Sequence, residues 1–259
     1  MTGLPQPAIF DGYDAGAYTL PDELVHARDT HRKVHAQPYP EPPERPGVVI
    51  ERLMQEVVAA LHDGTDLPDL KQIEAARVVE QTHQDAVDIM AGCEVLAAQR
   101  VRAQLQECGM AIITDHLKPA HEETWTGFKA AWRILQEYGK TEPRHLLAAP
   151  PKVRKASDTC DQLAERYTHI TAARTALTIL GLGCSDDPRG KYSAIRNYHE
   201  LSPSRLAMGR PPWQGLSIRH FLGWHTENGG QLWMPTPAEQ KDQVWAEAEA
   251  NPIKRAAGF

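Results

Sequence analysis

The chain has 259 residues, of which 41% are hydrophobic and 24% are charged, and its formal net charge at pH 7 is −6. This length allows one large domain or two small ones. No stretch approaches 18 uncharged apolar residues, and the first 20 residues lack a basic start followed by an apolar core, so we expect neither a membrane span nor a secretory signal.

The prolines divide the chain into three parts. Eight of the 20 prolines lie in residues 1–46 and seven in residues 184–259, whereas residues 69–118 contain none. Because proline breaks helix interiors, the pattern predicts a mainly α-helical body over residues 47–183. A proline-rich N-terminal arm and an irregular C-terminal arm flank this body. Both arms carry large apolar side chains, so we expect extended chain held by contacts.

The N-terminal arm is predicted to be partly helical. A short helix is expected from Asp22 to Ala36. Pro21 suits its start, and its first two residues are acidic, which favours the positive end of a helix. Residues 37–46 have the composition of a polyproline-like spacer, and we expect them to be extended.

Two amphipathic helices are predicted at the start of the body. Apolar residues recur at helical spacing over residues 47–63, and Gly64 ends that pattern. The second helix is predicted over about 70–108, with Gly109 as its C-cap. Its apolar stripe has gaps near residues 81–84, where we expect a bend or a break. At 1.5 Å per residue this helix would be about 57 Å long, several times the globular mean.

The remainder of the body is predicted to contain one strand and two helices. The run Met110–Thr114 is the best strand candidate. A helix is expected from Pro119 to Tyr138, and another from Pro151 to Leu180, where glycines follow. We expect the helices of the body to pack as an antiparallel bundle with short connections.

Regular structure becomes sparse in the C-terminal arm. A short helix is expected around residues 192–199, and irregular chain over 202–235. A terminal helix is predicted over 236–250, because Thr236 and Glu239 form a capping-box pattern with a proline at the first helical position.

The four cysteines form no CxxC pair, and Cys93 and Cys108 fall within the long predicted helix. We therefore expect the cysteines to be small buried hydrophobic residues of a reducing compartment. The expected location is the cytoplasm or an assembled particle such as a virion.

The sequence contains no motif that assigns a catalytic residue, a cofactor or a metal. One alternative is a metal-dependent enzyme that uses His220, His225 and Glu227, which lie near each other on the C-terminal arm. A second alternative is a helical nucleic-acid-binding or regulatory module that uses basic residues: Lys152, Arg154, Lys155, Arg189, Lys191, Arg196, Arg205, Arg210 and Arg219. The negative net charge weighs against nucleic acid as the main partner.

Aromatic residues indicate an interaction surface on the arms, because Trp and Arg are favoured interface anchors. The candidates on the C-terminal arm are Trp213, Phe221, Trp224, Trp233, Met234 and Trp245, with Arg205, Arg210 and Arg219. Those on the N-terminal arm are Phe10, Tyr13 and Tyr18. The alternative is that the C-terminal arm folds back over the helical body and completes its core.

The charge distribution adds to this interpretation. Residues 1–110 carry 18 acidic and 9 basic side chains, whereas residues 141–220 carry 7 acidic and 12 basic ones. Opposite potentials suit contact between copies of one chain. We therefore predict a non-enzymatic structural subunit of a large homo- or hetero-oligomeric particle, whose partners are copies of itself or other proteins of the assembly. Its anatomy resembles that of minor head or head–tail connector proteins of tailed phages.

Overall fold

The computed structural model describes residues 3–139, 148–184, 194–201 and 211–250. These residues are mainly α-helical and contain no β-strand, only one isolated bridge between Ile195 and Leu232. The prediction of a mainly α-helical chain with one very long helix is confirmed. None of the described helices combines the length and the apolar character needed to cross a membrane.

The helical elements of the described residues are as follows, in chain order. They are α1 (Pro7–Asp14), α2 (Asp22–His35), α3 (Pro46–Asp63), α4 (Lys71–Ala111), a π-helical segment (Ile112–Leu117), α5 (Lys118–Tyr138), α6 (Pro151–Ile179), α7 (Tyr198–Leu201), α8 (Ile218–Glu227) and α9 (Pro237–Ala250). The helices predicted over residues 22–36, 47–63, 151–180 and 236–250 are confirmed to within one residue at each end.

The predicted strand at Met110–Thr114 is wrong, because helical conformation continues from α4 through the π-helical segment into α5. Ile112 and Ile113 are buried, and periodicity alone does not distinguish a short buried helical run from a buried strand. Gly109 is not a C-cap either. A Cβ at this position would collide with the Leu182 side chain, so the glycine permits a close approach. The break expected near residues 81–84 is absent from α4.

The chain divides into two compact units. Unit 1 contains residues 26–103, together with the described residues that precede Gln6. Unit 2 contains Gln6–Val25 and the described residues from Gln104 onward. Part of the predicted N-terminal arm therefore belongs to the same unit as the C-terminal arm.

The core of unit 2 lies between α5 and α6. Along α5, Trp125, Phe128 and Trp132 stack in succession, with ring centroids 6.4 and 5.5 Å apart. α6 contributes buried side chains to the same cluster: Val153, Ala156, Cys160, Ala164 and Tyr167. Burial of one large apolar side chain contributes about 1.5–3 kcal/mol, so this cluster is a principal source of the stability of unit 2.

The N-terminal residues of unit 2 fold onto α6. α1 packs against α6 and buries Ile9 and Phe10 completely. The Arg166 guanidinium donates to the Ala17 carbonyl oxygen at 2.8 Å and to the Glu123 carboxylate at 2.7 Å. Residues 7–14, which were not predicted to be helical, are thus an ordered part of this unit.

Unit 1 contains most of α2, all of α3 and the first 33 residues of α4. α3 buries Val49, Leu53 and Ala60, which lie on one side of that helix. The less exposed positions of α4 recur at heptad-like spacing: Ile73, Ala76, His83, Val87, Met90, Glu94, Ala97 and Val101. His35 at the end of α2 contacts the largely buried Glu94 carboxylate, with Nδ1 and Oε1 3.4 Å apart.

Candidate functional site

The C-terminal arm contains α8, a helix that the sequence did not predict. Ser217 is its N-cap, and its Oγ accepts a hydrogen bond from the backbone N–H of His220 at 3.4 Å. The same Oγ lies 2.7 Å from His220 Nδ1. A serine immediately before an apolar helical start is an N-terminal signal, and this signal could have located α8 in the sequence.

The residues of the predicted metal alternative are not brought together. His220 is exposed and is bound to Ser217, whereas His225 is completely buried. Five residues along a helix correspond to a rotation of about 140°, so the two side chains leave α8 in different directions. Glu227 accepts a hydrogen bond from Trp132 Nε1 at 3.0 Å. In the described part of the chain, no three His, Cys, Asp or Glu side chains are placed to hold a metal ion.

His225 lies inside a cage of aromatic rings. Its ring centroid is 4.5 Å from that of Phe221 and 5.0 Å from those of Trp213 and Trp224. Neither ring nitrogen has a hydrogen-bond partner among the described residues. Gly230 closes the cage, because a Cβ at that position would collide with the imidazole. The arrangement holds His225 as a neutral, packed ring.

Two buried histidines of unit 2 have strongly lowered pKa values. Desolvation lowers the pKa of His225 to about 4. Desolvation, with a smaller repulsion from the Arg174 guanidinium, lowers the pKa of His121 to about 4 as well. His121 packs against Tyr167, with ring centroids 5.4 Å apart, and its Nδ1 has no hydrogen-bond partner among the described residues. Both side chains are therefore neutral near pH 7, which makes unit 2 sensitive to acid.

Most of the aromatic residues proposed for an interface on the C-terminal arm pack within unit 2. Trp213 and Met234 are buried, while Phe221, Trp224 and Trp233 are partly exposed. This is the packing expected if the arm folds back and completes a core. Trp245 on α9 differs from the others, because 58% of its surface is exposed.

The interface candidates on the N-terminal arm are also largely covered. Phe10 and Tyr18 are buried, and Tyr13 is partly exposed. The Tyr18 hydroxyl donates to the Ile9 carbonyl oxygen at 2.7 Å, and burial raises the pKa of this phenol well above its ordinary value. These side chains stabilise the attachment of α1 within unit 2.

The basic candidates fall into separate groups. Nη1 of Arg219 donates to both carboxylate oxygens of Asp161, at 2.6 and 2.7 Å, and its Nη2 donates to Ser157 Oγ at 2.9 Å, so this guanidinium is already engaged within the chain. The three residues at the start of α6 are exposed: Lys152, Arg154 and Lys155. Arg196 lies over the Trp233 ring at 5.4 Å. The remaining candidates lie outside the described residues: Arg189, Lys191, Arg205 and Arg210.

An exposed apolar face on α3 is the first feature of unit 1 that suggests an interaction surface. Met54, Val58 and Leu61 lie at i, i+4 and i+7, and they are 64%, 68% and 70% exposed. Met54 and Val58 also line a shallow apolar groove with Gln55, Ala59 and His62. The apolar residues of α3 extend beyond the side that it buries, so part of its apolar surface is exposed.

α4 carries a second exposed apolar stripe. Val78, Ile89 and Leu96 are 61%, 66% and 65% exposed, and they lie on one side of the helix, away from the less exposed heptad positions. Both exposed faces had a signal in the sequence. The apolar residues of α3 and of α4 are more numerous than a single buried side of a helix can accommodate. Cys93 is exposed on the same side of α4, contrary to the expectation that all four cysteines are buried.

Comparison of the chain with protein-family models, with curated proteins and with solved structures finds no match.

Proposed function

We propose that this protein is a non-enzymatic assembly subunit that docks onto copies of itself, or onto other proteins of a larger complex, through unit 1. The observation that carries the proposal is the pair of exposed apolar faces on α3 and α4. Exposed apolar residues scattered singly are ordinary, but contiguous rows of them typically mark interaction sites. Rows on two consecutive helices of one unit favour docking over chance exposure.

Covering these faces would supply an apolar driving force for association. Covering the exposed two-thirds of a Met, Val or Leu side chain contributes about 1–2 kcal/mol. The three residues of the α3 face together contribute about 3–6 kcal/mol before the entropic cost of association is subtracted. Two such faces together contribute about 6–12 kcal/mol before that cost, which is a substantial part of the driving force that a specific complex needs.

Most of the aromatic residues proposed for an interface on the arms are buried or partly buried. We therefore place the proposed docking surface on unit 1 and not on the arms. Trp245 on α9 keeps its exposed ring and is the arm candidate that still suits an interface. That the complex is a phage head or a head–tail connector remains a prediction from the sequence.

The oligomeric state of the full-length chain tests the proposal. Native mass spectrometry and sedimentation equilibrium at micromolar concentration are expected to show a complex of more than one chain. The triple variant Met54→Gln, Val58→Gln, Leu61→Gln should weaken that complex, because glutamine keeps helix propensity but removes the apolar face. A matched control replaces three exposed apolar residues of unit 2, as Ile179→Gln, Leu216→Gln, Val244→Gln, and should leave it unchanged.

Circular dichroism would establish that both triple variants keep their helical content. A wild-type chain that stays monomeric, with or without the other proteins of its source, would refute the proposed function.

A further inference from the structure

The exposed stripe of α4 has a charge pattern that identifies its partner. Asp85 precedes Ile89 by four residues, and Arg100 follows Leu96 by four residues, so all four residues lie on the same side of the helix. Asp85 and Arg100 are both exposed. Within the described parts of the chain, the Asp85 carboxylate accepts only a side-chain amide hydrogen bond, from Gln81 at 2.8 Å, and Arg100 has no ion pair. The stripe therefore has an acidic end and a basic end, with apolar residues between them.

From Asp85 to Arg100 this pattern is symmetric about its own middle. Ile89 and Leu96 are equally distant from the point between Gly92 and Cys93, and so are Asp85 and Arg100. A second α4 helix that runs antiparallel across this point would place Leu96 of the partner subunit opposite Ile89, and Arg100 of the partner subunit opposite Asp85. A parallel pair would instead place Asp85 opposite its own copy and Arg100 opposite its own copy, which is unfavourable.

The centre of the stripe permits the close approach that such a pair needs. Gly92 and Cys93 are both exposed, and a Cβ added at Gly92 would meet no atom within 4 Å. Small residues at a crossing point let two helices approach to the 8–10 Å separation of packed helices. From Asp85 to Arg100 the symmetric part of the stripe is about 24 Å long at 1.5 Å per residue.

We propose that two copies of this chain associate through antiparallel pairing of their α4 helices, centred on Gly92 and Cys93. The inference rests on the proposed function, since it names the partner at one of the two apolar faces. The contact is isologous, because both subunits use the same patch. An isologous contact is complete with two subunits, so it gives a dimer and not an open chain of copies. The α3 face then remains available for joining dimers into a larger assembly.

Charge exchange tests the direction of the pairing in the full-length chain. Asp85→Arg and Arg100→Asp should each raise the dimer dissociation constant about tenfold, because either change places like charges opposite each other twice. The double variant Asp85→Arg, Arg100→Asp should restore the wild-type constant to within about threefold. Arg102→Asp is the matched control, because it changes the net charge as Arg100→Asp does but lies away from the stripe, and it should have little effect.

Cross-linking at Cys93 provides a second measurement. A short bismaleimide should join two chains of the wild type, and of the control variant Cys108→Ser, but not of Cys93→Ser. Single charge variants that bind as the wild type does, or a double variant that is not restored, would overturn the antiparallel pairing. If the complex persists in these variants but is lost in the α3 triple variant, the pairing is wrong and the proposed function stands. A monomeric wild type would refute both.

Discussion

Acidification from pH 7 to pH 5 is predicted to destabilise unit 2 through its two buried histidines. The folded-state pKa of His121 and of His225 is about 4, whereas that of an unfolded histidine is about 6.5. Between these values the unfolded chain binds a proton that the folded chain does not bind, so stability falls as the pH falls. The part of the unfolding free energy that depends on these two histidines being neutral is fully present above pH 6.5 and is lost as the pH approaches 4.

The magnitude follows from the size of the pKa shift. A difference of about 2.5 pH units corresponds to about 3 kcal/mol per histidine when the titration is complete, and to about 2 kcal/mol per histidine at pH 5. The two residues together should cost unit 2 about 4 kcal/mol between pH 7 and pH 5. That is a large fraction of the 5–15 kcal/mol typical of a folded domain.

Urea denaturation followed by tryptophan fluorescence measures this effect in unit 2, because all six tryptophans lie in residues 104–259. His225→Phe should remove about half of the pH dependence. Phenylalanine suits the aromatic cage, and neither imidazole nitrogen has a described hydrogen-bond partner to lose. His220→Gln is the matched control on the same helix, and it should keep the full dependence.

A fall of less than about 0.5 kcal/mol per histidine between pH 7 and pH 5 would refute the argument. So would an unchanged pH dependence in His225→Phe, because the buried imidazole would then not be the titrating group.

Three further outcomes are expected. Gly230→Ala should lower the unfolding free energy of unit 2 by about 1–3 kcal/mol, measured by urea denaturation, because its Cβ would collide with the His225 ring. Glu239→Ala should increase amide hydrogen exchange in the first turn of α9 and cost about 1 kcal/mol of local stability, because Glu239 accepts from the Thr236 backbone N–H at 2.8 Å and from Lys118 at 2.6 Å. Equal exchange rates in the variant and the wild type would contradict this. At concentrations well below the dimer dissociation constant, where α4 is unpaired, Cys93 should react with a maleimide within minutes in native protein, whereas Cys160 and Cys184 should react only after denaturation, as mass spectrometry of the labelled peptides would show.

Helix boundaries could be predicted wherever the signal is local chemistry. α3, α6 and α9 begin with a proline at the first helical position, and this preference is a property of the backbone alone. The capping box at the start of α9 is present, since Glu239 N–H also donates to Thr236 Oγ1 at 3.2 Å. These elements needed no knowledge of the tertiary structure.

Elements that depend on distant contacts could not be predicted in this way. α1 contains a proline and a glycine within eight residues, and it is stabilised by burial of Ile9 and Phe10 against α6. The run Met110–Thr114 is helical because the helices on either side are continuous with it. In each case packing overrides a weak local preference.

The candidate site, like the fold, could be predicted from the sequence only in part. The amphipathic character of α3 and α4 is visible in the sequence, but which apolar residues stay exposed depends on the packing of unit 1. Likewise, nothing in the sequence around His225 distinguishes a ligand-binding histidine from a packed one. Only the positions of Phe221, Trp213 and Trp224 around its ring make that distinction.

The attachment of α1 to α6 has a consequence for synthesis on the ribosome. Ala17 and Arg166, which are joined by a hydrogen bond, are 149 residues apart in the chain. At a translation rate of about 5–20 residues per second, α1 leaves the ribosome roughly 7–30 s before its binding surface exists. Residues 26–103 of unit 1 are synthesised within that interval. During this time Ile9 and Phe10 lack the α6 surface that buries them, so the nascent chain exposes apolar surface of the kind that promotes aggregation.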